Sequence, residues 1–282
     1  MVLKLEQFNL EDLATKNSMK LLRFLTLNPN INYGLSDLSN ELKISKSNLL
    51  RIIRKIEKHK LILEHNNGRK KVYQINYQHN TVNILWKLFM DEKRNNLEPK
   101  FKNIIDLIYY QVKEEVDLFI IFGSVAQGLA TKKSDIDICI VSSEDLELDK
   151  FEYLPHRLEI HRYEWEDIKN PVDFVVLESL LNGIVLKGNI LKIIGELNTF
   201  PQSYLIYRLE KVKEFMKKSE TLKNEAKEYY KNLALTTIGE IDSLLSKGKT
   251  IPKRKIKPFN LEKEVKELER KISKEGEEIW LV

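Results

Sequence analysis

Two carboxylates one residue apart, Asp135 and Asp137, lead into the apolar run Ile138-Cys-Ile-Val141. Ten residues separate Asp135 from the dipeptide Gly123-Ser124, which itself follows the apolar stretch Leu118-Phe-Ile-Ile-Phe122. Alternate residues of a strand share a face. Asp135 and Asp137 therefore project together, while Ile136 and Ile138 face a core. Carboxylates spaced about 6–7 Å apart on one strand face both stay ionised at low cost when a cation lies between them. For an oxygen-only pair the natural cation is Mg²⁺, which keeps several waters and shares its remaining positions with substrate phosphates. Gly123 lets the backbone come close to a phosphate, and Ser124 opens a helix whose free N–H groups favour an anion. A strand, a phosphate-approaching turn and a metal-holding strand together describe a nucleotide site.

With Gly128 and Ser134 included, the segment reads GSxxxGxxxxxSDxD. This pattern resembles the nucleotidyltransferase superfamily, and within it the minimal nucleotidyltransferase branch, over roughly residues 97–187. The resemblance implies an α/β (α+β) fold, with a nucleotidyltransferase core of mixed sheet and flanking helices. It also implies transfer of a nucleoside monophosphate from an NTP, ATP by expectation, with release of pyrophosphate. Gly123, Ser124 and Ser134 would bind the nucleotide. Asp135, Asp137 and a third carboxylate would be the catalytic residues and would hold two Mg²⁺ ions, in the manner of two-metal catalysis. Glu159 is the expected third acid, because in Arg157-Leu-Glu-Ile-His-Arg-Tyr163 alternation puts Glu159 and His161 opposite Leu158, Ile160 and Arg162. Asp173 is the rival, but Pro171 and the apolar run that follows place it near a helix cap. His161 shares the face of Glu159.

The remaining chain has to carry this site. At 282 residues, with 42% hydrophobic and 32% charged residues, two or three domains with their own cores are expected. No run approaches the ~20 apolar residues of a membrane span, so no membrane partner is expected. The first residues lack the pattern of a signal peptide. One cysteine, Cys139, offers neither a disulfide nor a cysteine metal site. A cytoplasmic location is the expectation, and the Lys, Glu and Ile bias leans toward a thermophilic source, with AT-rich coding as the other source of the same bias.

Charge is unevenly placed. Residues 1–80 hold 14 Lys and Arg against 7 Asp and Glu, a net +7 within a total of +5, which leaves −2 for the rest. Periodicity predicts helices over residues 17–27 and 35–42, the second capped by Ser36 with Ser39 facing out. A third, capped by Ser45, covers residues 46–60 and buries Leu49, Ile52, Ile53 and Ile56. A hairpin follows, with Asn67-Gly68 at its turn. Three helices and a two-stranded basic wing resemble a winged helix-turn-helix. The resemblance implies double-stranded DNA as a partner, met by Lys46, Ser47, Asn48 and Arg51 of the third helix and by Arg69, Lys70 and Lys71 of the wing. No aromatic residues interleave with these bases, which disfavours single strands.

The expected domains are thus a winged helix over 1–80, a nucleotidyltransferase domain with a linking helix over 81–200, and a helical C-terminal domain over 201–282. Helices are predicted over 81–98, with a stripe of Ile84, Leu85, Leu88 and Phe89, and over 101–111. A last core helix and strand are expected in 177–188. Residues 203–247 read as helical, with Leu205, Leu209, Val212, Phe215, Met216 and Leu222 buried. There Tyr204, Tyr207, Arg208 and Lys211 are candidate base and phosphate contacts. Residues 249–258 form a basic linker, and a charged helix over 262–277 packs through Val265, Leu268 and Ile272.

Two functions follow as expectations. One is an enzyme that modifies an acceptor hydroxyl, with a separate partner toxin protein as a candidate acceptor and the winged helix repressing an operon, as an antitoxin does. Small molecules and RNA 3′ ends are other acceptors. The second is a DNA-binding regulator whose nucleotidyltransferase domain senses a ligand or partner with little turnover. A homodimer is compatible with either.

Overall fold

The computed structural model describes residues 11, 13–132, 134–143, 146, 151, 153–197, 199–245, 261–274 and 278–280. The chain divides into two compact units, one centred on residues 77–196 and the other built from the described residues on either side of it.

In the second of these, α1 (Lys16–Thr26), β1 (Tyr33–Gly34), α2 (Leu35–Leu42) and α3 (Lys46–Lys58) precede β2 (Ile62–Asn67) and β3 (Lys70–Ile75). The strands form an antiparallel sheet in the order β1–β3–β2. Leu49, Ile52, Ile53 and Ile56 of α3 are buried at the expected helical spacing, against a core that includes Leu21, Leu25, Leu38 and Tyr73.

Three local expectations are corrected. Gly34, not Ser36, is the N-cap of α2, because Tyr33-Gly34 is already spent in pairing with β3 and the helix starts directly after it. Ser39 turns back, its Oγ donating to the Ile44 carbonyl at 2.7 Å, and closes the α2–α3 turn. The hairpin turn consists of Gly68-Arg69, since Asn67 pairs with Lys70. Gly68 alone takes a positive φ of 60°, the requirement of a turn with glycine in its first central position. Ser45 is the N-cap of α3, though its side chain makes no capping hydrogen bond.

The central unit opens with α4 (Asn80–Asn95) and α5 (Pro99–Val112). The buried stripe of α4 is Val82, Leu85, Trp86, Phe89 and Met90. The expected members Ile84 and Leu88 lie on the outer face at 67% and 54% exposure. Trp86, the largest apolar side chain, rotates the stripe toward itself. Next come β4 (Leu118–Phe122), the one-turn α6 (Gly123–Ala126), β5 (Ile136–Val141), β6 (Leu158–Tyr163), α7 (Trp165–Lys169), α8 (Phe174–Asn182), β7 (Ile184–Lys187) and α9 (Leu191–Glu196). The mixed α/β class expected from the sequence is what this unit shows. Its sheet runs β6–β5–β4–β7, with β5 and β6 parallel and the other pairs antiparallel. One sheet face, formed by Phe119, Ile121, Ile136, Ile138 and Ile140, packs on Phe101, Ile105, Ile108 and Val112 of α5. The alternation that buries these residues delivers Asp137 to the other face.

After Glu196, β8 (Thr199–Pro201) pairs with β9 (Glu278–Trp280), and α10 (Gln202–Thr221), α11 (Asn224–Leu245) and α12 (Leu261–Lys274) pack on one another. The helical run expected over 203–247 breaks at Leu222-Lys223, so Leu222 is 38% exposed, not buried. Met216 is half-buried. Tyr204 is a core residue stacked on Phe200, and Arg208 is buried, which removes Tyr204 from the surface where a base could stack. Val265, Leu268 and Ile272 are buried as expected. The basic linker over 249–258 lies outside the described residues.

Candidate active site

Strand β4 is buried along its whole length and ends at Phe122, which caps α6. The chain turns there because Gly123 takes a φ of +67°, open to glycine at little cost. The same position demands glycine for a second reason. A Cβ on Gly123 would lie 2.0 Å from Asp137 Oδ2 and 2.8 Å from Asp137 Cγ. The Asp137 carboxylate therefore packs directly on the Gly123 backbone, consistent with the cross-strand pairing of Phe122 with Asp137. Ser124 is the second residue of α6, one place later than a helix-opening serine, and its carbonyl accepts from the Leu129 N–H at 2.8 Å.

Asp135 immediately precedes β5, where the next residue, Ile136, donates to the Arg157 carbonyl and begins pairing with β6. Ser134 closes the loop before it: Ser134 Oγ accepts from the Thr131 N–H at 2.8 Å, and the Ser134 carbonyl is 3.2 Å from His156 Nδ1. The parallel register pairs Asp137 with Glu159 and Cys139 with His161, so Glu159 leaves the sheet on the face of Asp137. Glu159 is about half exposed, and its Oε1 lies 3.4 Å from His161 Nε2. The His161 ring in turn meets Phe122, with centroids 5.6 Å apart. Asp173 is the N-cap of α8. It accepts from the Val175 N–H at 2.8 Å and from the Tyr163 hydroxyl at 3.0 Å. Burial, followed by that hydrogen bond to Asp173, pushes the Tyr163 hydroxyl well above its ordinary range.

Asp135, Asp137 and Glu159 are all carboxylates, a donor type that suits a hard cation such as Mg²⁺. Asp137 and Glu159 share a face and a register, but among the described residues no three His, Cys, Asp or Glu side chains converge as a metal cluster, and Glu159 is turned along its own strand toward His161. Below this surface, burial first of all raises the Cys139 thiol to about 12, which leaves it a neutral core group.

One polar pair escaped the sequence reading. Glu178, in the middle of the apolar α8, is only 3% exposed, and its Oε1 accepts from Gln127 Nε2 at 2.7 Å. Gln127 is the C-cap of α6. A lone carboxylate inside Phe174-Val-Val-Leu-Glu-Ser-Leu-Leu181 was the available signal, since acids are rarely fully buried unless paired.

On the basic hairpin unit, Lys46, Ser47, Arg51, Arg69, Lys70 and Lys71 are exposed and Asn48 is half-buried. Arg51 donates to Asn48 Oδ1 at 3.1 Å, and Lys71 pairs with Glu64.

Residues 102–194 match the family model described as polymerase beta, nucleotidyltransferase. The matched stretch runs from α5 into α9 and contains Gly123, Ser124, Ser134, Asp135, Asp137 and Glu159. It supports nucleotidyl transfer as the general chemistry of this segment. No curated protein and no solved structure is found to match the chain. No described helix is long and apolar enough to cross a membrane.

Proposed function

We propose that this chain is a Mg²⁺-dependent nucleotidyltransferase that moves a nucleoside monophosphate from an NTP, ATP in the first instance, to an acceptor hydroxyl. The observation that carries this reading is the packing of the Asp137 carboxylate on Gly123, with Glu159 in register beside it. The triphosphate lies on the Gly123-Ser124 turn, where the absence of a side chain lets backbone and phosphate meet. Asp135, Asp137 and Glu159 would hold the Mg²⁺ ions. When bound, Mg²⁺ neutralises the triphosphate and the departing pyrophosphate. Asp135 and Asp137 act on the α-phosphate only as holders of that cation, whose charge would offset the repulsion between carboxylates and phosphate, and Glu159 would also stand near the acceptor's proton.

The exposed basic residues of α3 and of the β2–β3 hairpin support a winged helix-turn-helix that binds double-stranded DNA. A nucleotidyltransferase joined to such a domain suits an antitoxin that modifies a partner toxin and represses its own operon. The favoured acceptor is therefore a hydroxyl of a separate protein.

The turn of Glu159 toward His161 favours a second reading, in which the nucleotide site is a sensor for a DNA-binding regulator and turns over little. Transfer of label from each α-³²P-NTP with Mg²⁺, in host lysate, separates the two. A labelled protein band that vanishes in Asp135→Asn and Asp137→Asn supports the enzyme. Nucleotide binding without an Asp-dependent band supports the sensor.

A further inference from the structure

The phosphate-approaching turn is held at its start by the contact of Gly123 with Asp137. Its other end needs a support as well. Helix α6 is four residues long, and a helix of one turn has no stability of its own, because nucleation fixes several residues for a single hydrogen bond. Gln127 ends it. The Gln127 N–H returns to the Gly123 carbonyl at 3.2 Å, and its side-chain amide is bound by Glu178 of α8 at 2.7 Å. Glu178 sits between Leu177 and Ser179, both fully buried, on a helix anchored at its start by the Asp173 cap. At its end, Gly183 packs so closely on Ile120 and on the Ile121 carbonyl that a Cβ would fall 2.4 Å from Ile120 Cγ2 and 3.1 Å from that oxygen. The carboxylate therefore projects from a rigid mount.

A buried carboxylate beside a turn that is to receive phosphates is a costly choice unless its acceptor oxygen is needed. We infer that Glu178 is a positioning residue for the nucleotide: through Gln127 it fixes α6, and with it the Gly123-Ser124 turn, at the height where Asp137 meets the phosphates. This inference rests on the reading of Gly123-Ser124 and the Asp pair as a nucleotide site. Glu178 itself touches no substrate. Its role is to accept the Gln127 hydrogen bond, which a glutamine carbonyl can do as well as a carboxylate, whereas a methionine of similar volume cannot.

The test is calorimetric titration of the full chain with α,β-methylene-ATP and Mg²⁺, for wild type, Glu178→Gln, Glu178→Met and Gln127→Met, with thermal midpoints recorded in parallel. Gln127 is exposed, so Gln127→Met stays folded even if Glu178→Met does not. The expected result is near wild-type affinity for Glu178→Gln and about tenfold weaker binding for both methionine variants, the scale of a lost hydrogen bond to a charged group. Wild-type affinity in Gln127→Met overturns the inference and leaves Glu178 a structural residue, whatever the midpoints do. Equal weakening in Glu178→Gln and Glu178→Met also overturns it, since charge would then matter and not the hydrogen bond. Failure of the wild type to bind the analogue defeats the nucleotide-site reading itself and takes this inference with it, an outcome separate from any loss confined to the variants.

Discussion

Asp137 on β5 and Glu159 on β6 are register partners on parallel strands, so their side chains leave the same sheet face about 4.8 Å apart at the backbone. Asp137 is pressed onto Gly123, whereas Glu159 is half exposed and lies against His161. The two acids are thus unequal, and their replacement should have unequal effects. Asp137→Asn should reduce label transfer about a hundredfold or more, as loss of preorganised electrostatics does, with the thermal midpoint held. Glu159→Gln should lower transfer while nucleotide affinity falls less than in Asp137→Asn. Equal transfer in wild type and Asp137→Asn would sink the catalytic assignment.

Gly123 and Gly68 have nearly the same φ, +67° and +60°, but different surroundings. Nothing lies within 4 Å of a Cβ built on Gly68, while one on Gly123 meets the Asp137 carboxylate. Both alanine variants carry the left-handed backbone cost of about 1–2 kcal/mol. Only Gly123→Ala must also displace a site residue. Denaturant unfolding should show a larger loss for Gly123→Ala, and titration with a nucleotide analogue should show weaker binding in that variant alone. Similar nucleotide affinities in the two variants would remove Gly123 from the site.

Much of this geometry was legible because Ile136 and Ile138 alternate with Asp135 and Asp137, and Leu158 and Ile160 with Glu159 and His161, which leaves an acid of each strand on the polar face. The cap at Asp173 was legible from Pro171 and the apolar run behind it. What failed to show was everything set by long-range packing. The α4 stripe rotated because Trp86, a poor guide in a periodicity count, is buried at 1% exposure. Tyr204 looked like a base-stacking surface residue, yet it fills the space beside Phe200. Glu178 and Gln127 are 51 residues apart, and no local pattern links them. The hairpin turn slipped by one residue because Asn67 was recruited into the ladder with Lys70.

Asp106 on α5 gives a pH dependence that does not involve the site. Burial by itself raises its carboxyl, but hydrogen bonds from Lys102 and Arg94 outweigh burial and hold it below the usual carboxylate range. Its folded pKa is lowered, so the stabilisation is present above the unfolded value of about 3.9 and is lost as pH falls through the folded one. Asp106→Asn should therefore lower the thermal midpoint at neutral pH and flatten its fall below about pH 4. Arg94 has a second partner in the Tyr109 ring, 5.5 Å from its guanidinium carbon, so the variant should remain folded. An unchanged acid limb would show that other carboxylates govern acid unfolding.

The basic residues offered to DNA differ in whether they are already paired, and that difference makes the DNA reading testable residue by residue. Lys71 is engaged by Glu64, a diagonal neighbour across the hairpin, whereas Lys70 on the same strand is exposed. A lysine that neutralises a phosphate releases counterions, and its removal lowers the slope of log K against log salt by about 1. Lys70→Ala and Arg69→Ala on the hairpin, and Lys46→Ala and Arg51→Ala on α3, should each lower the slope on duplex DNA by about that amount. Lys71→Ala should lower it less, because Glu64 already holds the ammonium and would be left behind as a repelling charge. The measurement is fluorescence anisotropy with duplex fragments of the upstream region across a salt series, with single strands as the contrast. If Lys71→Ala and Lys70→Ala lower the slope equally, the ion pair opens on binding and both lysines reach phosphate. If none of the five variants moves it, the basic face of α3 and the hairpin does not bind DNA, and residues 1–80 are a protein-contact module.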